Sequence, residues 1–382
     1  MLTRERLVTY GVSTAAAATI TVAALLQPWR GGDVDGPVPE ATPVLRSKHA
    51  VDVVFAVDTT GSMGGLLDGA KRTVWSIATH IRKTDPDAEL RIGLVAYRDI
   101  GDDYVTRDFS LTSDLDAVFT ELSSYRAAGG GDTPEDVDAA LDDTLHKMRW
   151  RDDAKKLVFL VGDAPPASRG DVPNFDISAR EAGARQIIIN TIRCGWDHDA
   201  EVAWQQIASL GHGQFSTIQQ DGGVQQIATP YDDKLAEISA RIDGTTVIVG
   251  DEGDRLEYRR NMAAAEAAPA PAKADRAMYY ATKGGPHGSA APRAKKDLVG
   301  GVATGMMDLD AVAPATLPED LRGLDKPALK AEIEKRAGLR KAAQDELADV
   351  AKQRDAYLKA QAKDGEGGFD AKVKAAIDLQ LK

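Results

Sequence analysis

Six short apolar runs recur between residues 49 and 243, and patterns typical of helices lie between them. The runs predict six strands, which are Val51–Val57, Leu90–Tyr97, Tyr104–Phe109, Lys156–Val161, Ile187–Ile192 and Gln214–Thr217. Between the strands, apolar residues recur at steps of three and four, as they do from Leu67 to Ile81 and from Val224 to Ile242. This alternation predicts an α/β fold with a doubly wound, mostly parallel six-stranded sheet and helices on both faces.

The pattern changes after residue 243. Residues 244–318 begin with a short β-like run, Thr245–Val249, and continue as a segment dense in Ala, Gly and Pro, which predicts an irregular linker. Apolar residues return to helical spacing in residues 319–382, among charges of both signs. We expect a helical hairpin or a short coiled coil there, since the heptads are too few for a long one.

The amino terminus has the composition of an export signal. Arg4 and Arg6 precede twenty residues without a charge, Leu7 to Leu26, a length that just spans a bilayer. We interpret residues 1–30 as a cleaved signal sequence or an uncleaved membrane anchor, and residues 31–48 as a spacer. An Ala-rich soluble helix is the alternative. The protein is then expected to be exported, to the periplasm or the cell surface, with membrane association through this segment.

Charge and cysteine content narrow the function classes. The chain of 382 residues has a net charge of −12, and residues 49–243 hold 19 basic and 33 acidic residues. So acidic a region argues against nucleic acid as a partner, because phosphates need a basic face. Cys194 is the only cysteine in the sequence, which excludes intramolecular disulfides and Cys-based zinc or iron–sulfur sites.

Oxygen donors occur at three places, two of which follow predicted strands and one of which follows a glycine-rich loop. Asp58, Thr60 and Ser62 alternate directly after the first strand, Thr133 follows a run of three glycines, and Asp163 follows the fourth strand. The carboxyl ends of parallel strands form the ligand edge of an open α/β sheet. Hydroxyl and carboxylate oxygens are hard donors, and they favour a Mg²⁺-type cation over a soft metal or a nucleotide.

Each of these residues also has a structural explanation. Thr133 followed by Pro134 is typical of a helix amino terminus, and Ser62 is placed to cap the helix after the first strand. Asp58 and Asp163 are common turn residues at strand ends. Their joint occurrence at one sheet edge favours a shared site.

These residues resemble the von Willebrand factor type A (VWA) domain and its metal-ion-dependent adhesion site, in the type found in exported bacterial proteins. The resemblance covers residues 49–243. It implies a Rossmann-like sheet and a cation, Mg²⁺ first and Mn²⁺ or Ca²⁺ as alternatives, held by Asp58, Thr60, Ser62, Thr133 and Asp163. It also implies cell-adhesion-like binding, in which the cation bridges to an Asp or Glu carboxylate of a protein partner.

The chain departs from the family pattern at Thr60, where a serine is usual. The hydroxyl is kept, but the β-branch restricts the side chain. The segments 97–99 and 162–166 also look like a subgroup that accompanies atypical α-kinases, although the chain shows no kinase region. Asp99, Asp102, Asp132 and Glu135 fall near the same edge and are expected to be solvated, with a role in the charge preference for the partner as the alternative. Residues 196, 198 and 199 are candidates for the rim.

An enzymatic function is not expected. The sequence lacks a dinucleotide-binding glycine motif, a P-loop, a nucleophile elbow and a pair of carboxylates with acid and base roles. Two alternatives to cation-dependent protein binding stay open. One is a structural or tethering protein that works through its C-terminal helices. The other is a regulatory subunit of an ATPase or another enzyme.

Overall fold

A six-stranded sheet organises the part of the chain that the computed structural model describes, residues 49–131, 133–168, 172–224, 226–283, 292–361 and 367–381. The strands, β1 to β6 in chain order, are Ala50–Asp58, Glu89–Tyr97, Thr106–Thr112, Lys155–Gly162, Ile187–Cys194 and His212–Ile218. All six predicted strands are confirmed, with ends that differ by up to three residues.

The strand order is β3-β2-β1-β4-β5-β6, so β1 lies near the centre of the sheet. It pairs in parallel with β2 on one side and with β4 on the other, and β4, β5 and β6 continue the parallel pairing. Only the edge strand β3 is antiparallel to its neighbour. The strands before β4 are therefore added on one side of β1 and the later strands on the other, and the carboxyl ends of β1 and β4 lie side by side. The predicted doubly wound, mostly parallel sheet is confirmed.

The helices, α1 to α12 in chain order, are Gly64–Thr84, Leu115–Ser124, Val137–His146, Phe175–Ala184, His198–Leu210, Asp232–Asp243, Glu252–Ala267, Ala270–Lys283, Leu298–Ala303, Glu319–Arg322, Lys326–Gln361 and Phe369–Gln380. Three short 3₁₀ helices are Gly61–Met63, Leu309–Ala311 and Pro314–Thr316. The sheet is covered on both faces, as the sequence predicts.

Strand β1 shows why both faces need cover. Alternate side chains of a strand point to opposite faces, and every residue of β1 is buried. Val53 and Phe55 pack with helices α1 and α2, whereas Val54 and Ala56 pack with α3, α4 and α5. A continuous apolar run, rather than an alternating one, is the consequence of burial on both faces.

The helix predicted from Val224 is shorter than its pattern suggests. Helix α6 begins at Asp232, and the apolar residues before it lie in a loop. Pro230 precedes the helix, and the Asp232 carboxylate accepts hydrogen bonds from the backbone N–H and the hydroxyl of Thr229, at 2.8 Å each. Apolar residues at helical spacing therefore begin before the helix itself does.

The prediction of an irregular linker over residues 244–318 is wrong for α7, α8 and α9. Helices α7 and α8 bury four alanines together with the polar side chains of Asn261 and Arg276, so part of their buried face lacks the large apolar residues that mark a helix in a sequence. Helix α9 is only six residues long and buries two glycines. Pro269 and Pro271 precede or occupy the first turn of α8, where the missing N–H costs nothing. The predicted β-like run at Thr245–Val249 forms a single bridge, between Ile248 and Asp297.

The C-terminal region is helical, as expected, but α11 and α12 pack on different parts of the domain rather than as a hairpin. Helix α11 packs against α6 and α8, and α12 packs against α1. Arg354 of α11 bonds Asp232 of α6 and Asp275 of α8, at 2.7 Å each. These contacts make the C-terminal helices a further layer of the same compact unit.

Residues 1–30 and 31–48, predicted to be a signal or anchor and a spacer, lie outside the described residues. Within the described ranges, no helix combines the length and the apolarity that a membrane crossing requires.

Candidate functional site

The loop after β1 places three of the predicted donors in sequence. Asp58 is the last residue of β1 and its side chain is fully buried. Its Oδ1 accepts hydrogen bonds from the backbone N–H of Thr60 at 2.8 Å and from the Thr60 hydroxyl at 2.7 Å. The Thr60 and Ser62 hydroxyl oxygens are 3.3 Å apart. Ser62 lies in the first 3₁₀ helix and makes no side-chain cap to α1, so the capping alternative does not hold.

The glycine-rich loop is bound to the loop after β1 through the backbone. The Ala128 N–H donates to the Thr59 carbonyl at 3.1 Å, and the Gly61 N–H donates to the Gly129 carbonyl at 3.2 Å. Gly129 and Gly130 have φ values of +77° and +72°, a region that side chains disfavour. The glycines therefore allow the turn that brings residue 133 toward the end of β1.

The position of Thr133 before Pro134 suggested that it caps helix α3, but it does not. The cap is Asp136, whose carboxylate accepts a hydrogen bond from the Ala139 N–H at 2.9 Å. Thr133 lies three residues before this cap and is exposed. Its hydroxyl is therefore not required by the helix.

Asp163 follows β4 directly. Gly162, the last residue of β4, has no room for a side chain, because an added Cβ would meet the Tyr97 hydroxyl and lie 3.1 Å from the Cβ of Asp58. The two aspartates can therefore approach from adjacent strands. Oδ2 of Asp163 accepts a hydrogen bond from the side-chain amide of Gln220, at 2.6 Å.

A cavity of about 350 Å³ opens at this edge of the sheet. Four of the five predicted donors line it, and they are Thr60, Ser62, Thr133 and Asp163. Asp58 does not line the cavity, but lies buried behind Thr60, to which it is bonded. The structure thus brings the predicted residues together. The other lining residues are Gly61, Gly130, Gly131, Glu135, Ala164, Cys194, Trp196, Asp197 and Gln220.

The carboxyl groups at the cavity have no basic partner among the described lining residues. Burial raises the pKa of Asp58 to about 7, the Thr60 hydrogen bonds oppose this shift, and the Asp163 carboxylate adds to it. Burial likewise raises the pKa of Glu135 to about 8, with repulsion from Asp58, Asp99 and other carboxylates. Among the described residues that line the cavity, none is a lysine or an arginine.

The residues fit a hard divalent cation. Oδ2 of Asp58 and Oε2 of Glu135 are buried and accept no hydrogen bond within the described part of the chain. A buried carboxylate oxygen is costly unless a hydrogen bond or a metal compensates it. No group of three His, Cys, Asp or Glu residues with metal-binding geometry occurs among the described residues. The predicted set is of another kind, with two carboxylates and three hydroxyls.

The sequence suggested that the nearby acidic residues are solvated, and for those that the structure describes this prediction is wrong. Asp99 and Glu135 are buried, and Asp102 is half-buried. Oδ2 of Asp102 accepts a hydrogen bond from the Gly130 N–H at 3.0 Å, so this side chain supports the glycine-rich loop. Asp132 lies outside the described residues.

Of the predicted rim residues, only Trp196 lines the cavity, and it is 88% exposed. Its neighbour Asp197 also lines the cavity, while the exposed residues His198 and Asp199 do not. Gln220 was not predicted at all. It lies two residues after β6, at the same sheet edge, and its position past a strand end was the available signal.

Residues 52–230 match the family model of the von Willebrand factor type A domain. Together with the strand order, this match shows that the chain contains a VWA domain. The match ends before α6, so the C-terminal helices lie beyond it.

Two curated proteins illustrate the range of relatives. An α-protein kinase, vwkA, of Dictyostelium discoideum is 29% identical over 124 residues, which are 32% of this chain and 19% of that protein. A putative ariadne-like RING finger protein, R811, of Acanthamoeba polyphaga mimivirus is 31% identical over 143 residues, 37% of this chain and 13% of that protein. The chain thus spans less than a fifth of either relative.

Solved structures with partial similarity include a conserved hypothetical protein, BatB, from Bacteroides thetaiotaomicron, with 15% identity and a TM-score of 0.34, covering 44% of this chain and 90% of that one. The SpRpn10 VWA domain has 13% identity and a TM-score of 0.35, covering 44% and 88%. Proximal thread matrix protein 1 from the mussel byssus, described with a zinc-occupied MIDAS motif, has 15% identity and a TM-score of 0.36, covering 45% and 42%.

Proposed function

We propose that this chain is a cation-dependent protein-binding protein. In this proposal Asp58, Thr60, Ser62, Thr133 and Asp163 hold a divalent cation, with Mg²⁺ first and Mn²⁺ or Ca²⁺ as alternatives. The partner is a protein that presents an Asp or Glu carboxylate at the cavity. When bound, the cation supplies a Lewis-acidic anchor for that carboxylate. Binding of this adhesion-like kind is the function that the site supports best.

The observation that carries the proposal is the chemistry of the cavity. Its lining holds three hydroxyls and the Asp163 carboxylate, the buried Asp58 lies directly behind, and no basic side chain balances them among the described lining residues. Hydroxyl, carboxylate and water oxygens are the ligands that Mg²⁺ prefers. A cation would compensate charges that the chain itself leaves uncompensated.

The rim supports a protein as the partner. Trp196 lines the cavity and is 88% exposed, and tryptophan is among the residues that contribute most to protein interfaces. One metal–carboxylate contact does not make a stable complex, which needs an interface of about 1,200–2,000 Å². We therefore expect the partner to cover Trp196 as well as the cavity.

The alternative of tethering through the C-terminal helices has less support. Leu329, Ile333 and Leu347 of α11 are buried against this chain's own elements, and Leu339 is the one large apolar side chain of this helix that is exposed. The proposal includes a non-enzymatic role and a location outside the cytoplasm. The location is proposed from the uncharged segment Leu7 to Leu26, which has the composition of an export signal. Native protein found in the cytosol would favour the regulatory-subunit alternative instead.

Titration calorimetry with Mg²⁺ and Mn²⁺ tests the site directly. We expect Asp163→Ala to weaken binding by at least about tenfold, because loss of even an indirect metal contact has effects of that size. Asp199→Ala is the matched control, since Asp199 is an exposed aspartate near the rim that does not line the cavity. Equal affinity in the two variants would contradict the proposal.

Capture from envelope extract tests the binding function. Wild-type protein in Mg²⁺ is expected to retain a partner that is lost both in EDTA and with Asp163→Ala, while Asp199→Ala retains it. A partner retained under all these conditions would show that binding does not use the cation.

A further inference from the structure

Glu135 is a third carboxylate at the cavity, and neither the family pattern nor the predicted site contains it. It is only 4% exposed, although it precedes helix α3 in a loop. Its backbone N–H donates to the Pro165 carbonyl at 3.1 Å, and its carbonyl accepts from the Ala167 N–H at 2.9 Å. These bonds join the Thr133 loop to the loop that carries Asp163, and they fix the position of the residue.

The Glu135 side chain lies at the wall of the cavity. The residue is one of those that line it, together with Thr60 and Asp163. Its Oε1 lies beside Gly130, where an added Cβ would be 2.9 Å from it and equally close to Thr60 Cβ. Its Oε2 is buried and has no hydrogen-bond partner among the described residues. A carboxylate in this position is expensive for the fold unless something binds it.

Helix α3 does not explain this carboxylate. The cap of that helix is Asp136, whose side chain bonds the Ala139 N–H, and Asp138 supplies the acidic residue of the first turn. No lysine or arginine of the described residues lines the cavity, so an ion pair does not explain it either. What remains is a ligand inside the cavity that needs a negative oxygen.

We propose that the Glu135 carboxylate acts on the cation of the VWA site through a bridging water, as a third acidic side chain beside Asp58 and Asp163, because no three carboxylates of the described residues are placed to bind one ion directly. This rests on the proposed cation site. The site then carries three negative charges from the protein, one more than a divalent cation neutralises. It is expected to discriminate strongly in favour of cations of higher charge, because the attraction scales with cation charge.

The test compares wild-type protein with Glu135→Gln, which keeps the side-chain shape and removes the charge. The probes are Mn²⁺ by calorimetry and Tb³⁺ by luminescence, which Trp196 at the cavity can sensitise. We expect Mn²⁺ affinity to fall about tenfold and Tb³⁺ affinity about thirtyfold, so the Tb³⁺/Mn²⁺ ratio falls. Glu135→Asp keeps the charge and is expected to keep the ratio. Glu257→Gln makes the same substitution at an exposed position of α7 and is the matched control.

Thermal unfolding gives a second readout. In EDTA, Glu135→Gln is expected to melt no lower than wild type, since the amide replaces a buried carboxyl group whose Oε2 has no hydrogen-bond partner among the described residues. In saturating Mn²⁺ the wild type gains more than the variant does. This difference in gain would not result from a side chain that serves the fold alone.

The outcomes separate this inference from the proposed function. If wild-type protein binds Mn²⁺, Asp163→Ala binds it more weakly, and Glu135→Gln binds both ions as wild type does, then Glu135 does not act on the cation while the cation site stands. If wild-type protein binds neither ion, both proposals fail.

Discussion

At the scale of single residues, Thr60 links the buried and the open parts of the site. Its hydroxyl donates to Asp58 and lies 3.3 Å from the Ser62 oxygen, while its side chain lines the cavity. The family usually has serine at this position, so the question is whether the extra methyl of threonine keeps its hydroxyl from reaching Asp58. In this structure the hydroxyl reaches Asp58 at 2.7 Å, so the β-branch does not prevent the contact.

Two substitutions of Thr60 separate the hydroxyl from the methyl. Thr60→Ser keeps the hydroxyl, and we expect Mn²⁺ affinity within about threefold of wild type. Thr60→Val keeps the shape and loses a hydrogen bond to a charged group, a contact worth about 1.5–3 kcal/mol, so affinity is expected to fall by about tenfold or more. Calorimetry with Mn²⁺ measures both. Wild-type affinity in Thr60→Val would remove Thr60 from the site.

The site residues were predictable because they come after apolar or glycine runs, whereas their partners were not. Asp58 and Asp163 lie at the ends of apolar runs, and Thr133 lies two residues after a run of glycines. Gln220 and Glu135 depend on how loops from distant strands fold over one another, which no local pattern encodes. The burial of Glu135 follows from bonds to Pro165 and Ala167, thirty residues later.

At the scale of elements, the strands were predicted well and the helices after residue 243 were not. Strands buried on both faces give continuous apolar runs, such as β1, which stand out in any sequence. Helices α7 and α8 bury alanines and charged residues instead. Arg276 of α8, for example, bonds Asp116 of α2 at 2.6 and 2.7 Å, with both side chains buried. In a sequence pattern, the charged residues of a buried ion pair cannot be distinguished from charged residues on the surface.

Such pairs predict how the helical layer depends on single charges. Arg354→Leu leaves the carboxylates of Asp232 and Asp275 without their cation, and breaking a buried pair costs about 3–5 kcal/mol. Chemical denaturation should show a loss of this size. Lys352→Leu, at an exposed ion pair of the same helix, should change stability by less than about 1 kcal/mol. Similar losses in the two variants would mean that the buried pair does not hold α11 in place.

At the scale of the whole molecule, a VWA domain and a C-terminal helical layer form one unit with the cavity at the strand ends. The layer packs on α1, the helix that follows Ser62, and α12 also bonds the loop after β6, where the Phe369 N–H donates to the Gly222 carbonyl at 2.8 Å. Gln220, the partner of Asp163, belongs to that loop. The C-terminal layer therefore supports elements that build the site as well as its own fold.

The central claim is that the cavity binds a divalent cation through the predicted donors. Its most direct test is anomalous diffraction from crystals of the protein grown with Mn²⁺. The account predicts a peak inside the cavity, within about 2.5 Å of oxygens of Ser62 and at least one other predicted donor, and a much weaker peak or none in Asp163→Ala crystals. Wild-type crystals with an empty cavity, or with Mn²⁺ bound only elsewhere, would contradict it.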